Sequence, residues 1–203
     1  MRKRVKPIAF CLDLEGILLP EIWVQVARRF GVEELRRTTR DEPDYDKLMR
    51  YRLRILKQEE IRLRDIQRVI ARMRPLPGAA AFLRKLRAEG PVIVLSDTYY
   101  EFARPIMGRL GHPALLCNRL EQDRRGFISG YFLRQKEGKR NAVRALKGLG
   151  FEARAVGDSY NDLGMLLEAD RGVFFNPPAS IRGKYRKLPA ARDYPGLLRA
   201  LLK

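Results

Sequence analysis

Ile8-Ala9-Phe10-Cys11-Leu12-Asp13-Leu14-Glu15-Gly16 decides how the chain is read. Five apolar residues run unbroken into two carboxylates spaced i, i+2, and a glycine follows. So short an apolar run, ending near a turn residue, predicts a parallel strand buried on both faces. Acids at the C-terminal end of such a strand lie where open α/β sheets gather their ligands. A strand-end aspartate can equally cap the next helix, so the pair needs support from elsewhere in the chain.

Beyond Pro20, Glu21 to Phe30 keeps helical spacing through Ile22, Trp23, Val26, Ala27 and Phe30, and Gly31 stops it. A second helix is predicted over Tyr45 to Lys57. Its apolar stripe is Tyr45, Met49, Leu53 and Leu56, with Arg52 on the stripe and Arg50 and Arg54 beside it. A third covers Ile61 to Met73, with Ile66, Val69, Ile70 and Met73 facing inward. Three helices in succession break a βα alternation. Residues 18–73 are therefore expected to form a helical insertion, with 1–17 and 74–203 as the core.

Past Pro75-Leu-Pro-Gly78 the alternation resumes. A helix over Ala79 to Glu89 leads to a strand, Pro91 to Leu95, and Ser96-Asp97-Thr98 follows directly. A helix bent at Pro105 reaches Leu110, Phe127 to Leu133 forms part of a β-hairpin, and a helix covers Lys139 to Leu149. Strand Ala153 to Val156 opens into Gly157-Asp158-Ser-Tyr-Asn-Asp162; a helix through Leu167, a strand Gly172 to Phe175 and a helix after Pro195 complete the chain. The expected fold is α/β: a doubly wound, mainly parallel, Rossmann-like sheet with inserted helices and a small β-hairpin.

Composition narrows the chemistry. The 203 residues are 45% hydrophobic and 33% charged, as expected of a soluble globular chain. No apolar run approaches the roughly 20 residues of a membrane helix, and the basic Met1 to Lys6 is not followed by a signal-peptide pattern. With only Cys11 and Cys117, unpaired by spacing, a reduced cytoplasmic setting is expected. The formal charge of +18 suggests nucleic-acid binding. Arg64, Arg68 and Arg72 are nevertheless spread along a helix face, and only the N-terminus and Arg182 to Lys187 are dense clusters. A solvated basic surface that steers anionic substrates is the better reading. The one histidine, His112, sits in a Gly-His-Pro turn, which leaves little room for imidazole triads or His-ligated zinc. Carboxylates, lysine, hydroxyls and a hard, oxygen-ligated metal remain.

Asp13/Glu15, Ser96, Lys139 and Asp158/Asp162 all fall at predicted strand ends or helix starts. In this order they resemble the four motifs of the haloacid dehalogenase superfamily, and the inserted helices resemble the cap of its phosphoserine phosphatase branch. Asp13-Leu-Glu-Gly16, Pro20-Glu-Ile-Trp23, Ser96-Asp-Thr-Tyr-Tyr-Glu-Phe102, Leu133-Arg-Gln-Lys136 and Gly157-Asp-Ser-Tyr-Asn-Asp162 are most similar to its bifunctional phosphoserine phosphatase/homoserine phosphotransferase subfamily.

The resemblance implies roles, and the chemistry suits them. Asp13 would be the nucleophile that forms an aspartyl-phosphate. Asp13, Asp158 and a backbone carbonyl, that of Glu15, would hold Mg²⁺. Glu15 would protonate the leaving oxygen and deprotonate the acceptor. Lys139 would neutralise developing charge, with Lys136 and Arg140 as competitors, and Asp162 would orient Lys139 or water on the metal. Ser96 would bind a phosphoryl oxygen, unless it is only a helix cap. Arg52, costly on an apolar stripe without a partner, would take the substrate carboxylate, unless it snorkels; Glu21 would take the amino group. Asp97, Thr98 and Asn161 are further substrate contacts, and Tyr160 a weaker one. Glu15 in place of an aspartate, and Asp97-Thr98 in place of glycines, depart from the phosphatase pattern and agree with the phosphotransferase subfamily.

The expected function is Mg²⁺-dependent hydrolysis of O-phospho-L-serine with transfer to L-homoserine. The expected partner is a small phosphorylated amino acid, with no nucleic acid and no membrane, and a homodimer as an assembly to test. A same-family phosphatase for another phosphometabolite, or a basic nucleic-acid-binding module, are the alternatives.

Overall fold

The computed structural model describes residues 6–38, 41–42 and 44–203, and the strand Ile8–Leu12 (β1) lies at its centre. Met1 to Val5, most of the basic N-terminal cluster, lie outside the described residues. The other strands are β2 (Val92–Tyr99), β3 (Ala114–Gln122), β4 (Ile128–Phe132), β5 (Glu152–Gly157), β6 (Arg171–Phe175) and β7 (Ala190–Ala191). Their order in the seven-stranded sheet is β4-β3-β2-β1-β5-β6-β7. All pairs are parallel except β3 with β4, which form the antiparallel hairpin.

β1 is paired on both sides, Cys11 opposite Ile93 of β2 and Ala155 of β5, which accounts for its uninterrupted apolar run. Its residues alternate between two cores, as strand geometry demands. Phe10 and Leu12 join the larger apolar cluster, and Cys11 joins a smaller one with Val143, Met165 and Phe174. Cys11 and Cys117 are buried free thiols, and burial pushes both up to about 12.

The helices are α1 (Ile22–Phe30), α2 (Tyr45–Gln58), α3 (Leu63–Arg72), α4 (Ala79–Glu89), α5 (Tyr100–Met107), α6 (Gly138–Gly148), α7 (Leu163–Glu168), α8 (Ala179–Lys184) and α9 (Tyr194–Leu202). α1 to α3 fall between β1 and β2, as the broken alternation predicted. α3 packs on α1 and α5, and α2 on β4. Met49, Leu56, Ile66 and Ile70 from these helices share the larger cluster with Phe10 of β1 and Phe102 of α5. Gly31 ends α1 in the left-handed conformation at φ 69°, a geometry that favours glycine. No helix among the described residues is long and apolar enough to cross a membrane.

Several boundaries differ from expectation. The buried stripe of α2 is Leu48, Met49, Arg52, Ile55 and Leu56, rotated so that Arg52 is central and Leu53 is only half-buried. Phe30 is exposed. Strand β2 does not stop at Leu95 but runs through Ser96-Asp97-Thr98 to Tyr99, with its register to β3 shifted between Leu95 and Tyr99. Pro105 lies inside α5, and the α-helix ends at Met107, passing into a 3-10 turn over Gly108–Leu110.

Candidate active site

At the C-terminal end of β1, Asp13 follows the strand directly and is buried. Its N–H donates to the Val156 carbonyl (3.0 Å), and its Oδ1 accepts from the Leu14 N–H (2.8 Å). The next turn brings the end of β5 against it. Gly16 has φ +76°, and a Cβ there would lie 2.5 Å from Asp158 Oδ2. Only glycine lets the first loop approach that carboxylate so closely. Gly157 is tighter still: a Cβ would meet Asp162 Cβ at 2.2 Å.

Asp162 is fully buried. Its Oδ2 accepts from the N–H groups of Asp158 (3.0 Å) and Ser159 (3.1 Å) and from Ser159 Oγ (3.1 Å). Ser159 and Asp162 thus form a capping box at the start of the helical turn that follows β5. Asp162 Oδ1 meets Lys139 Nζ at 2.7 Å.

Lys139 enters from the first turn of α6, and its buried ammonium meets three carboxylates: Asp162 (2.7 Å), Asp13 (3.0 Å) and Asp97 (3.3 Å). Burial works against its charge, but those carboxylates outweigh it and hold the ammonium protonated well above the ordinary lysine range. Of its sequence competitors, Lys136 is exposed, and Arg140 pairs with Glu168 (3.0 Å) and Glu137 (3.6 Å). Burial raises Asp13 well above the usual carboxylate range; Asp162, Asp97 and Asp158 add to this and Lys139 opposes it. Asp162 goes the other way: burial notwithstanding, Lys139 and the Ser159 and Asp158 N–H groups hold it low.

Carboxylate oxygens of Asp13, Asp158 and Asp162 lie within 4.8 Å of one another. Such an all-oxygen set suits a hard divalent cation, and the raised proton affinity of Asp13 marks a place short of positive charge. Asp162 is the poorest ligand of the three because Lys139 and three donors already occupy its oxygens. The Glu15 side chain is not part of this cluster, so any share it has in holding a metal falls to its main chain. Its Oε2 accepts from the Ile22 N–H (2.7 Å) at the start of α1. Burial pushes Glu15 up to about 8, aided by neighbouring Glu21, while the Ile22 N–H opposes the rise.

A cavity of about 290 Å³ opens above these groups, lined by Asp13, Glu15, Glu21, Arg52, Ser96, Asp97, Thr98, Lys139, Asp158 and Asn161 among others. Every expected site residue except Asp162 and Tyr160 reaches its wall. Ser96 Oγ accepts from the Thr98 N–H (3.2 Å) inside β2, four residues short of α5, so it does not cap a helix. Tyr160 opens instead onto a neighbouring cavity of about 640 Å³.

Arg52 lines the same cavity. It is 5% exposed, does not snorkel, and lies with its guanidinium 4.4 Å above the Trp23 ring. One terminal nitrogen donates to the Arg37 carbonyl (2.6 Å), whereas its buried Nε has no partner among the described residues. Burial lowers its proton affinity, with Tyr45 and Glu15 opposing. The wall also includes Trp23, Tyr45 and Tyr99, whose roles the sequence did not announce. Trp23 and Tyr45 read as ordinary stripe residues of amphipathic helices. The Tyr45 and Tyr99 hydroxyls are hydrogen-bonded to each other, a pairing that sequence spacing does not reveal.

A family model described as haloacid dehalogenase-like hydrolase matches residues 14–167. The chain belongs to that family. Among relatives of this hydrolase, phosphoserine phosphatase ThrH of Pseudomonas aeruginosa is 49% identical over 193 residues, covering 95% of this chain and 94% of the relative. Phosphoserine phosphatase of Pseudomonas syringae pv. tomato is 48% identical, covering 95% and 81%. The fold matches a solved phospho-aspartyl intermediate analogue of phosphoserine phosphatase with a TM-score of 0.80 at 20% identity, covering 97% of this chain and 100% of that one. The hydrolase fold inferred from the sequence is therefore the fold adopted.

Proposed function

We propose that this chain hydrolyses O-phospho-L-serine through an aspartyl-phosphate on Asp13 and passes the phosphoryl group to L-homoserine when that acceptor is present. The observation that carries the reading is the cavity's polarity. Asp13 and Lys139, in contact at 3.0 Å, line the cavity for a phosphoryl group, and buried Arg52, whose Nε has no partner among the described residues, lines it for a carboxylate. The relatives named phosphoserine phosphatase support the substrate, and the motif resemblance supports the acceptor.

An oxygen of Asp13 attacks phosphorus as the bond from phosphorus to the serine oxygen breaks, and Glu15 gives its proton to that oxygen. At about 8, Glu15 still carries that proton at neutral pH. An acceptor oxygen then attacks the same phosphorus, Glu15 takes its proton, and the bond from phosphorus to Asp13 breaks. Water yields phosphate, and homoserine yields O-phospho-L-homoserine. Lys139 and Ser96 hold phosphoryl oxygens throughout, while Arg52 and Glu21 orient the amino acid. Asp13, Asp158 and the main chain at Glu15 would hold Mg²⁺, which when bound supplies charge neutralisation to the phosphoryl oxygens. In this reading residues 18–73 act as the cap, and the setting is cytoplasmic without nucleic-acid or membrane partners. A homodimer is the assembly that sedimentation would test.

The test is ³¹P NMR of phosphoserine turnover with Mg²⁺ at increasing L-homoserine. Phosphate and phosphohomoserine should partition in proportion to acceptor concentration, because both arise from one intermediate. One methylene in a side chain is worth only about 1–3 kcal/mol of discrimination, so homoserine should compete at millimolar concentrations. Phosphate as the sole product at high homoserine would leave a hydrolase only. No turnover of phosphoserine beside ready turnover of another phosphate ester would assign a different substrate.

A further inference from the structure

The Lys139 ammonium donates to Asp162 and stands in ion-pair contact with Asp13 and Asp97. A phosphoryl oxygen that approaches Lys139 competes with these three carboxylates for its charge. Asp162 cannot yield: it is fully buried, and its second oxygen is fixed by three donors. Asp13 is anchored at the end of β1 and accepts from Leu14. Asp97 differs on each count. Its side chain is 52% exposed, its contact is the longest of the three at 3.3 Å, and no other bond to its carboxylate occurs among the described residues.

The backbone explains why. Asp97 lies within β2 where its register to β3 shifts, between Leu95 and Tyr99, and its carbonyl is tied to Asn118 Nδ2 (3.0 Å), so the backbone is held while the side chain is half exposed. Asp97 and Lys139 also form part of the boundary between the catalytic cavity and the neighbouring one of about 640 Å³, whose wall includes Lys136 and Arg140. A carboxylate leaving Lys139 therefore has room beside it, with the exposed Lys136 on that wall.

We propose that Asp97 is the exchangeable counter-ion of Lys139. It is a positioning residue that holds the ammonium between turnovers and is displaced by each incoming phosphoryl group, so that it competes with phosphate at this site. The proposal rests on the phosphotransferase reading and refines the role of Asp97 from substrate contact to competitor.

The experiment compares the Mg²⁺-loaded parent with Asp97→Ala and Asp97→Asn. Inorganic phosphate binding is measured by titration calorimetry, and KM and kcat are measured on phosphoserine and on p-nitrophenyl phosphate. Removing the competitor should tighten phosphate binding and lower KM on both esters by about two- to fivefold, the range open to a half-exposed ion pair. Slower product release should lower kcat in step. Asp97→Glu should restore the parent values. Unchanged or weaker phosphate binding in properly folded variants of an active parent overturns the exchange and leaves the phosphotransferase reading intact. A KM that rises on phosphoserine alone would instead make Asp97 a contact for the amino group. A parent that turns over no phosphate ester overturns both.

Discussion

Replacing Arg52 by alanine separates binding of the amino acid from phosphoryl chemistry. Arg52 is buried, its guanidinium stacks on Trp23 at 4.4 Å, and one nitrogen is satisfied by the Arg37 carbonyl at 2.6 Å. Its Nε has no partner among the described residues, and burial already depresses its proton affinity. A charge kept under those conditions gains most from a second, mobile carboxylate. Truncating one partner of a buried charge pair costs about 2–5 kcal/mol. At 1.36 kcal/mol per decade that is roughly a 30- to 5000-fold loss of kcat/KM on phosphoserine. On p-nitrophenyl phosphate, which has no carboxylate, the loss should be no more than about tenfold, the worth of the lost contact with Trp23. Arg52→Lys should fall between parent and alanine on phosphoserine, because it keeps the charge without the planar fork. The assay is steady-state phosphate release from both esters with each variant, after circular dichroism has verified folding. Equal losses on the two substrates would refute the reasoning and make Arg52 a brace between α1 and α2.

Asp13→Asn should retain the fold and lose all detectable phosphate release, since an amide cannot form the phosphoenzyme; appreciable turnover by the purified variant would remove the covalent mechanism. Glu15→Gln bears on pH. The folded-state value of about 8 lies above the ordinary 4.5, so the fold favours protonated Glu15, and the stability this contributes is lost as pH rises from about 4.5 through 8. In chelator-treated protein the Tm of Glu15→Gln should therefore gain on the parent across that window and level off above it, and a flat difference from pH 5 to 9 would contradict the shift. Gly16→Ala combines a left-handed φ with a Cβ pressed against Asp158. It should cost roughly 1–3 kcal/mol, at about 2–4 °C of Tm per kcal/mol for a chain of this length, and should raise the Mg²⁺ requirement. Parent-like melting and Mg²⁺ dependence would refute it.

The parts legible in the sequence are those set by local pattern. β1 was readable because a strand paired on both sides needs apolar residues throughout, and the helices between β1 and β2 because their stripes repeat at helical spacing. Arg52 stood out because charge on a stripe is costly. β3 did not announce itself: most of Ala114–Gln122 is exposed or half-buried, so its pattern lacks a clear alternation. β7 is two residues long, too short for any periodicity. The extension of β2 through Ser96-Asp97-Thr98 depends on a register shift against β3, a tertiary fact. The same holds for the meeting of Asp97 with Lys139, for the Tyr45–Tyr99 hydroxyl pair, and for Trp23 beneath Arg52. Sequence marks which side chains carry chemistry, and the partners that tune them arrive from elsewhere in the chain.

The central place of β1 has a consequence for how the protein is made. Ile8–Leu12 leaves the ribosome early, but its two neighbours, Val92–Tyr99 and Glu152–Gly157, come much later. At about 5–20 residues per second the second neighbour follows after an interval on the order of ten seconds. A strand with no charged residue therefore leaves both hydrogen-bonding edges open until Val92–Tyr99 is made, and one edge open until Glu152–Gly157 follows. Until then the segment that carries Asp13 is an adhesive ribbon, and the yield of folded chain should depend on how well chaperones shelter it.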